Sequence, residues 1–141
     1  MQTDDETRQF VSELDRFSGG RLTNKDDLAL LLSLSADSDL RTSFDRAAFL
    51  AKFSVKSRKI MTRIGKDGEG YDALAAELNK SLLEAADLIR NIASKAPPDA
   101  RKRIEGRYLV MTGHGIQNLF SLLEDLMWYK NWSIDHPPRE L

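Results

Sequence analysis

The sequence contains no cysteine among its 141 residues. The chain therefore lacks disulfides, thiolate zinc sites, iron–sulfur clusters and a thiol nucleophile. Proline and glycine are scarce, at four and eight residues, which argues against disorder and against a loop-rich β fold. The longest apolar run extends from Leu28 to Leu32, far short of the ~20 residues of a membrane-spanning helix. We therefore expect a helical domain with no membrane association.

The first residues, from Met1 to Glu6, are polar and acidic. A secretory signal peptide begins with a basic segment followed by an apolar one, so we expect none here and expect a cytoplasmic location. A chain of this length is typical of one domain. We predict a single domain over residues 1–141, with flexible or loosely packed ends at 1–3 and 133–141.

Apolar residues recur at helical spacing through most of the chain. They predict helices over 4–17, over about 40–64, 71–95 and 99–132, and a shorter helix that begins near Lys25 and contains Leu28 to Leu34. The fold class predicted is all-α, an up-down bundle of about four to five helices with a long C-terminal spine helix. Gly113 and Gly115 fall inside that last helix. They indicate either a break or a close backbone approach, because glycine is unfavourable in a helix interior.

Four basic residues follow the spacing of one helix face, and we call them the basic ridge: Lys52, Lys56, Lys59 and Arg63. Residues 47–66 carry six basic residues and no acidic one. Like charges in a row repel one another, which favours an anionic partner for the ridge, either phosphates or an acidic helix. The alternative is a solvated face whose charge is balanced by acidic residues on neighbouring helices.

Trp128 and Trp132 lie four residues apart. On the last predicted helix, both fall outside the side on which the apolar residues cluster. Two tryptophans on a polar helix face are unfavourable in contact with water, so we expect another segment or a partner to pack against them. One interpretation is that the N-terminal helix or the tail residues Ile134 to Pro138 fold over them. The other is that they form a contact surface for a protein partner or a second copy of the chain, since tryptophan is favoured at interface centres.

Arg107, His114 and Asn118 form a candidate polar site. Arg107 precedes His114 by seven positions, so an unbroken helix would place both on one face. An arginine followed by six residues and a histidine is similar to the Arg…His motif of the HEPN-type ribonucleases, helical bundles that often dimerise. The resemblance covers this one spacing and implies that Arg107 and His114 are catalytic. Tyr108 departs from the polar residue that commonly follows the arginine in that family.

The sequence offers little else for chemistry. It has two histidines and neither a Glu-x-x-His nor a His-x-x-x-His pattern, so we predict no metal site and no cofactor. Three hypotheses remain, in order of preference. The first is a non-enzymatic regulatory or structural protein that acts through protein contacts, including self-association. The second is a nucleic-acid-binding bundle that uses the basic ridge, and the third is a metal-independent ribonuclease.

Overall fold

The computed structural model describes residues 4–136 and builds them entirely from helices and loops. The six helices are α1 (Asp4–Phe17), α2 (Lys25–Leu34), α3 (Ser38–Ile64), α4 (Tyr71–Ala93), α5 (Pro98–Tyr108) and α6 (His114–Asp135). The predicted all-α class is therefore confirmed, while the up-down order of the helices stays a prediction. No helix within 4–136 is long and apolar enough to cross a membrane. The predicted loose ends at 1–3 and 137–141 lie outside the described residues, and residues 133–135 belong to α6.

The helix ends follow local sequence signals. The side chain of Asp37 accepts a hydrogen bond from the backbone N–H of Asp39 at 3.0 Å and caps α3. Pro98 occupies the first turn of α5, where its missing N–H costs no helical hydrogen bond. The loop between α3 and α4 contains Gly65 and Gly70, both with positive φ, a conformation that glycine adopts more readily than other residues.

The predicted spine helix over 99–132 is wrong, because residues 109–113 separate α5 from α6. Gly113 has φ 56° and ψ −128°, and a helix cannot continue through this conformation. The described residues consequently form six helices instead of the four to five that the sequence predicted.

Gly115 permits a close backbone approach at this break. A Cβ added at Gly115 would lie 1.9 Å from the carbonyl oxygen of Val110. Val110 belongs to the loop before α6. Both interpretations of the two glycines therefore apply, since Gly113 lies in the break as the N-cap of α6 and Gly115 allows the close approach of the loop.

The core lies between α3, α4 and α6, and α1, α2 and α5 complete it. α4 shows how the sequence encodes this packing: Leu78, Leu82, Ala85, Ile89 and Ile92 recur at helical spacing, and all are buried. α3 packs against both α4 and α6. The exposed side of α3 carries the basic ridge, and the side of α3 towards α6 borders a groove.

Candidate functional site

The basic ridge is exposed along the second half of α3. Lys52, Lys56, Lys59 and Arg63 all lie at the surface. None of the ion pairs formed within residues 4–136 includes one of them. The ridge side chains are therefore exposed to solvent, and no direct ion pair within residues 4–136 neutralises them.

A groove of about 330 Å³ runs beside the ridge, between α3 and α6. Lys59 belongs to both the ridge and the groove. We call this groove the aromatic groove. Six of the side chains that line it can bind a ligand by charge, hydrogen bonding or stacking: Arg21, Arg58, Lys59, Phe120, Glu124 and Trp128. Three are cationic and one is anionic, so the groove is net positive. Its volume lies at the lower end of the range for ligand pockets.

Two arginines of the groove rest on aromatic rings. The guanidinium of Arg58 lies 4.4 Å from the ring centre of Phe120. The guanidinium of Arg21 lies 5.7 Å from the ring centre of Trp128. Such cation–π contacts orient a guanidinium through its flat face. The N–H groups at its edge stay available to an anion, which arginine binds through two parallel hydrogen bonds.

The two tryptophans differ in their surroundings. Trp132 is only 4% exposed. The ring of Phe10 in α1 contacts the Trp132 ring edge-on, with ring centres 4.5 Å apart. The ring of His136 stacks on Trp132, with ring centres 4.4 Å apart. Trp132 is thus covered within the chain by α1 and His136, and it does not offer the partner surface considered from the sequence. Trp128 remains partly exposed in the aromatic groove.

Arg107, His114 and Asn118 meet at the corner between α5 and α6. Arg107 lies in the last turn of α5 and His114 begins α6, so the two do not share one helix face. The side-chain amide of Asn118 donates a hydrogen bond to the backbone carbonyl of Arg107 at 3.2 Å. His114 lies one turn before Asn118 and is exposed. The three residues therefore lie at one corner because of the loop between α5 and α6, and not because they share the face of a continuous helix as predicted.

Arg107 is engaged elsewhere through its side chain. A buried carboxylate, Asp27 of α2, pairs with Arg103 at 2.6 Å and with Arg107 at 3.2 Å. It also accepts a hydrogen bond from the hydroxyl of Tyr108. The pKa of Tyr108 is raised mainly by burial and, to a smaller extent, by this hydrogen bond to Asp27. No pattern in the sequence identifies Asp27 as the partner of these arginines. The only local signal is that Arg103 and Arg107 are four residues apart and so lie on one helix face, where two like charges favour an acidic neighbour.

A second buried carboxylate joins α6 to the start of α2. Asp125 is 1% exposed and accepts a hydrogen bond from the backbone N–H of Asn24 at 2.9 Å. Burial raises the pKa of Asp125 to about 6, against the lowering effect of the hydrogen bond from Asn24. Asn24 occupies the N-cap position of α2 without a side-chain capping bond. Asp125 instead satisfies the Asn24 backbone N–H from a distant helix.

Within residues 4–136 no three histidine or acidic side chains come together as ligands for a metal ion. The comparisons with known proteins found no family model, no curated protein and no solved structure that matches this chain.

Proposed function

We propose that the protein binds single-stranded nucleic acid along the basic ridge and the aromatic groove. The observation that carries the proposal is the set of ridge cations that form none of the ion pairs within residues 4–136, beside a groove with a partly exposed tryptophan. Phosphates of a strand would neutralise the repulsion among the ridge residues. Positive charge beside aromatic rings is the common arrangement of proteins that bind single strands.

A single strand fits these features better than a duplex does. A duplex keeps its bases stacked inside and presents mainly phosphates, whereas a single strand can also place a base against an aromatic ring. Trp128 supplies that ring in the groove. The ridge by itself would bind either form, so the groove is what favours the single strand.

A salt series tests the proposal. We would titrate the protein into labelled single-stranded RNA and into duplex DNA, and plot the logarithm of the binding constant against that of the salt concentration. Four ridge charges on a single strand predict a slope of about −3. In the variant with Lys52→Gln, Lys56→Gln and Lys59→Gln, the slope should become less negative by about 2.

The matched control neutralises three other exposed lysines, Lys80, Lys95 and Lys102. It changes the net charge by the same amount, so a general charge effect would lower the affinity of both variants equally. Loss of binding in the ridge variant alone supports the proposal. Equal losses in the two variants, or no binding by the unaltered protein at low salt, would refute it.

Contact with a protein partner, including self-association as a regulatory or structural subunit, is a second candidate function. Phe49 of α3 is 61% exposed and Leu83 of α4 is 48% exposed. The pair Arg46–Glu84 and the hydrogen bond from Asn91 to Ser43 fix the register of these two helices. This register places Phe49 and Leu83 at about the same level along the two helices, and the guanidinium of Arg46 lies 5.2 Å from the ring centre of Phe49. The two exposed apolar side chains would take part in the contact.

Sedimentation measurements across a concentration series test this second candidate. Self-association predicts a mass that rises with concentration and a smaller rise in the Phe49→Ser, Leu83→Ser variant. Both side chains are exposed, so this variant is expected to fold. A monomer at every concentration would exclude self-association.

A further inference from the structure

We infer that the aromatic groove binds one nucleotide unit of the strand, with its phosphate at the arginines and its base against Trp128. This inference rests on the proposed function and goes beyond it, because a ridge alone would bind phosphates without regard to bases. It assigns a defined subsite to the groove, and the chemical class of its ligand is a nucleoside phosphate.

The phosphate end is assigned from the cations of the groove. Arg58 lies over Phe120 and Arg21 lies over Trp128, at 4.4 and 5.7 Å. Neither arginine forms an ion pair within residues 4–136. Lys59 lines the same groove and continues into the ridge. A phosphate bound here would therefore lie on the path of the strand along α3.

The base end is assigned from Trp128. This residue lies on the α6 wall of the groove and is partly exposed, whereas Phe120 is buried beneath Arg58. Phe17 contacts the Trp128 ring edge-on, with the two ring centres 6.0 Å apart. The indole ring supplies an aromatic surface against which a base can stack.

Glu124 favours a ligand that carries a base as well as a phosphate over a simple anion. Its carboxylate lines the groove among the three cations. A carboxylate repels phosphate, but it accepts hydrogen bonds from the amino and ring N–H groups of a base. A nucleotide presents an anionic end and a hydrogen-bond-donating end, and so it matches both kinds of side chain in the groove.

The test compares a short labelled strand with the same strand lacking its bases, which carries the same charge. The unaltered protein should bind the base-bearing strand roughly 5- to 150-fold more tightly, the range expected for one stacked base. Trp128→Leu should abolish this preference. It should weaken binding of the abasic strand by a smaller factor, because Arg21 loses the ring that it lies over. Trp128→Phe should retain part of the preference.

Two further variants separate the ends of the site. Arg58→Gln should weaken binding of both strands equally and make the salt slope less negative by about 0.7. Glu124→Gln should raise affinity for the abasic strand, since it removes a repulsive charge, and should reduce the preference for bases. Thermal unfolding followed by circular dichroism would verify that each variant folds.

Competition at constant ionic strength identifies the source of the ligand. A nucleoside monophosphate should compete for the groove and lower the affinity of the base-bearing strand towards that of the abasic strand, and inorganic phosphate should do so much less well. Equal competition by phosphate would overturn the inference and indicate a simple anion site. Equal binding of base-bearing and abasic strands by the unaltered protein would also overturn it, even if Trp128→Leu failed to fold. Either result would leave phosphate binding by the ridge intact, since the ridge variant and its lysine control test that separately. It would remove the reason for preferring a single strand to a duplex.

Discussion

The hydroxyl of Tyr108 donates a hydrogen bond to the buried carboxylate of Asp27, and this contact joins α5 to α2. Arg103 and Arg107 reach the same carboxylate from the surface. One buried acid thus holds three side chains of α5. Because α5 ends at the break before α6, this cluster also fixes the orientation of the corner that carries His114.

Replacing Asp27 by alanine should lower the free energy of unfolding by about 1.5–3 kcal/mol, because the buried Tyr108 hydroxyl loses its charged acceptor and keeps only the side-chain oxygen of Asn24, at 3.0 Å. Half-exposed Arg103 and Arg107 can turn to water, which limits the loss. Urea unfolding measures the change. Asp26→Ala is the matched control, since Asp26 is the exposed neighbour in the same helical turn. It should cost well under about 1 kcal/mol, and equal losses would contradict the role of Asp27.

Gly115→Ala and Gly106→Ala should change stability in opposite directions. The new Cβ at Gly115 would collide with the carbonyl of Val110, whereas a Cβ at Gly106 would meet nothing within 4 Å. We expect a loss of more than about 2 kcal/mol at Gly115. Gly106 lies inside α5, where alanine should add about 0.5–1 kcal/mol. Thermal unfolding of the two variants measures both effects, and a neutral Gly115→Ala would show that the loop can move away from α6.

Asp125 should make the protein less stable as pH rises. Its pKa of about 6 in the folded chain lies above the ordinary value of 3.8, so the folded state holds the proton more tightly than the unfolded one. The stabilisation is complete below pH 3.8 and is lost as pH rises through 6. It amounts to on the order of 2–3 kcal/mol.

Asp125→Asn removes the titration and keeps an oxygen that can accept the hydrogen bond from Asn24. The difference in unfolding free energy between the original protein and this variant should therefore change between pH 4 and pH 7, in the direction that disfavours the original protein at higher pH. A difference that stays constant with pH would show that Asp125 does not titrate in this range.

The corner formed by Arg107, His114 and Asn118 carries the ribonuclease hypothesis. On that hypothesis, RNA cleavage continues in excess EDTA and is lost in His114→Ala. His114 is exposed, so its replacement should change stability by less than about 0.5 kcal/mol. Gln117→Ala is the control, because Gln117 is an exposed neighbour on the same helix. Gel electrophoresis of RNA after incubation measures cleavage, and intact RNA with the unaltered protein would exclude catalysis at this corner.

Much of the helical structure could be predicted from the sequence. The predicted helices over 4–17 and 71–95 agree closely with α1 and α4, because their apolar residues repeat at the helical period without interruption. The break before α6 could be suspected from Gly113 and Gly115 but not decided. A helix tolerates glycine at a cost of about 1 kcal/mol each, so only the backbone conformation distinguishes a weak helix from a broken one.

The candidate site was predictable only in part. The ridge lies on consecutive turns of α3, so its spacing alone brought the four cations together. The groove combines Arg58 of α3, Trp128 of α6 and Arg21 of the loop before α2, and no local pattern connects these positions. The burial of Trp132 could not be predicted for the same reason, since the ring that packs against it is Phe10 of α1, near the opposite end of the chain.

The sequence by itself determined the helical class, most helix ends and the exposed row of positive charge, because these follow from periodicity and from caps within a few residues. The tertiary structure decided which polar groups are buried and which aromatic rings stay open. Asp27 meets Tyr108, Asp125 meets Asn24 and Arg21 meets Trp128 only after the helices have packed. Such contacts depend on how complete helices fit together, a property that the spacing of residues within any one helix does not contain.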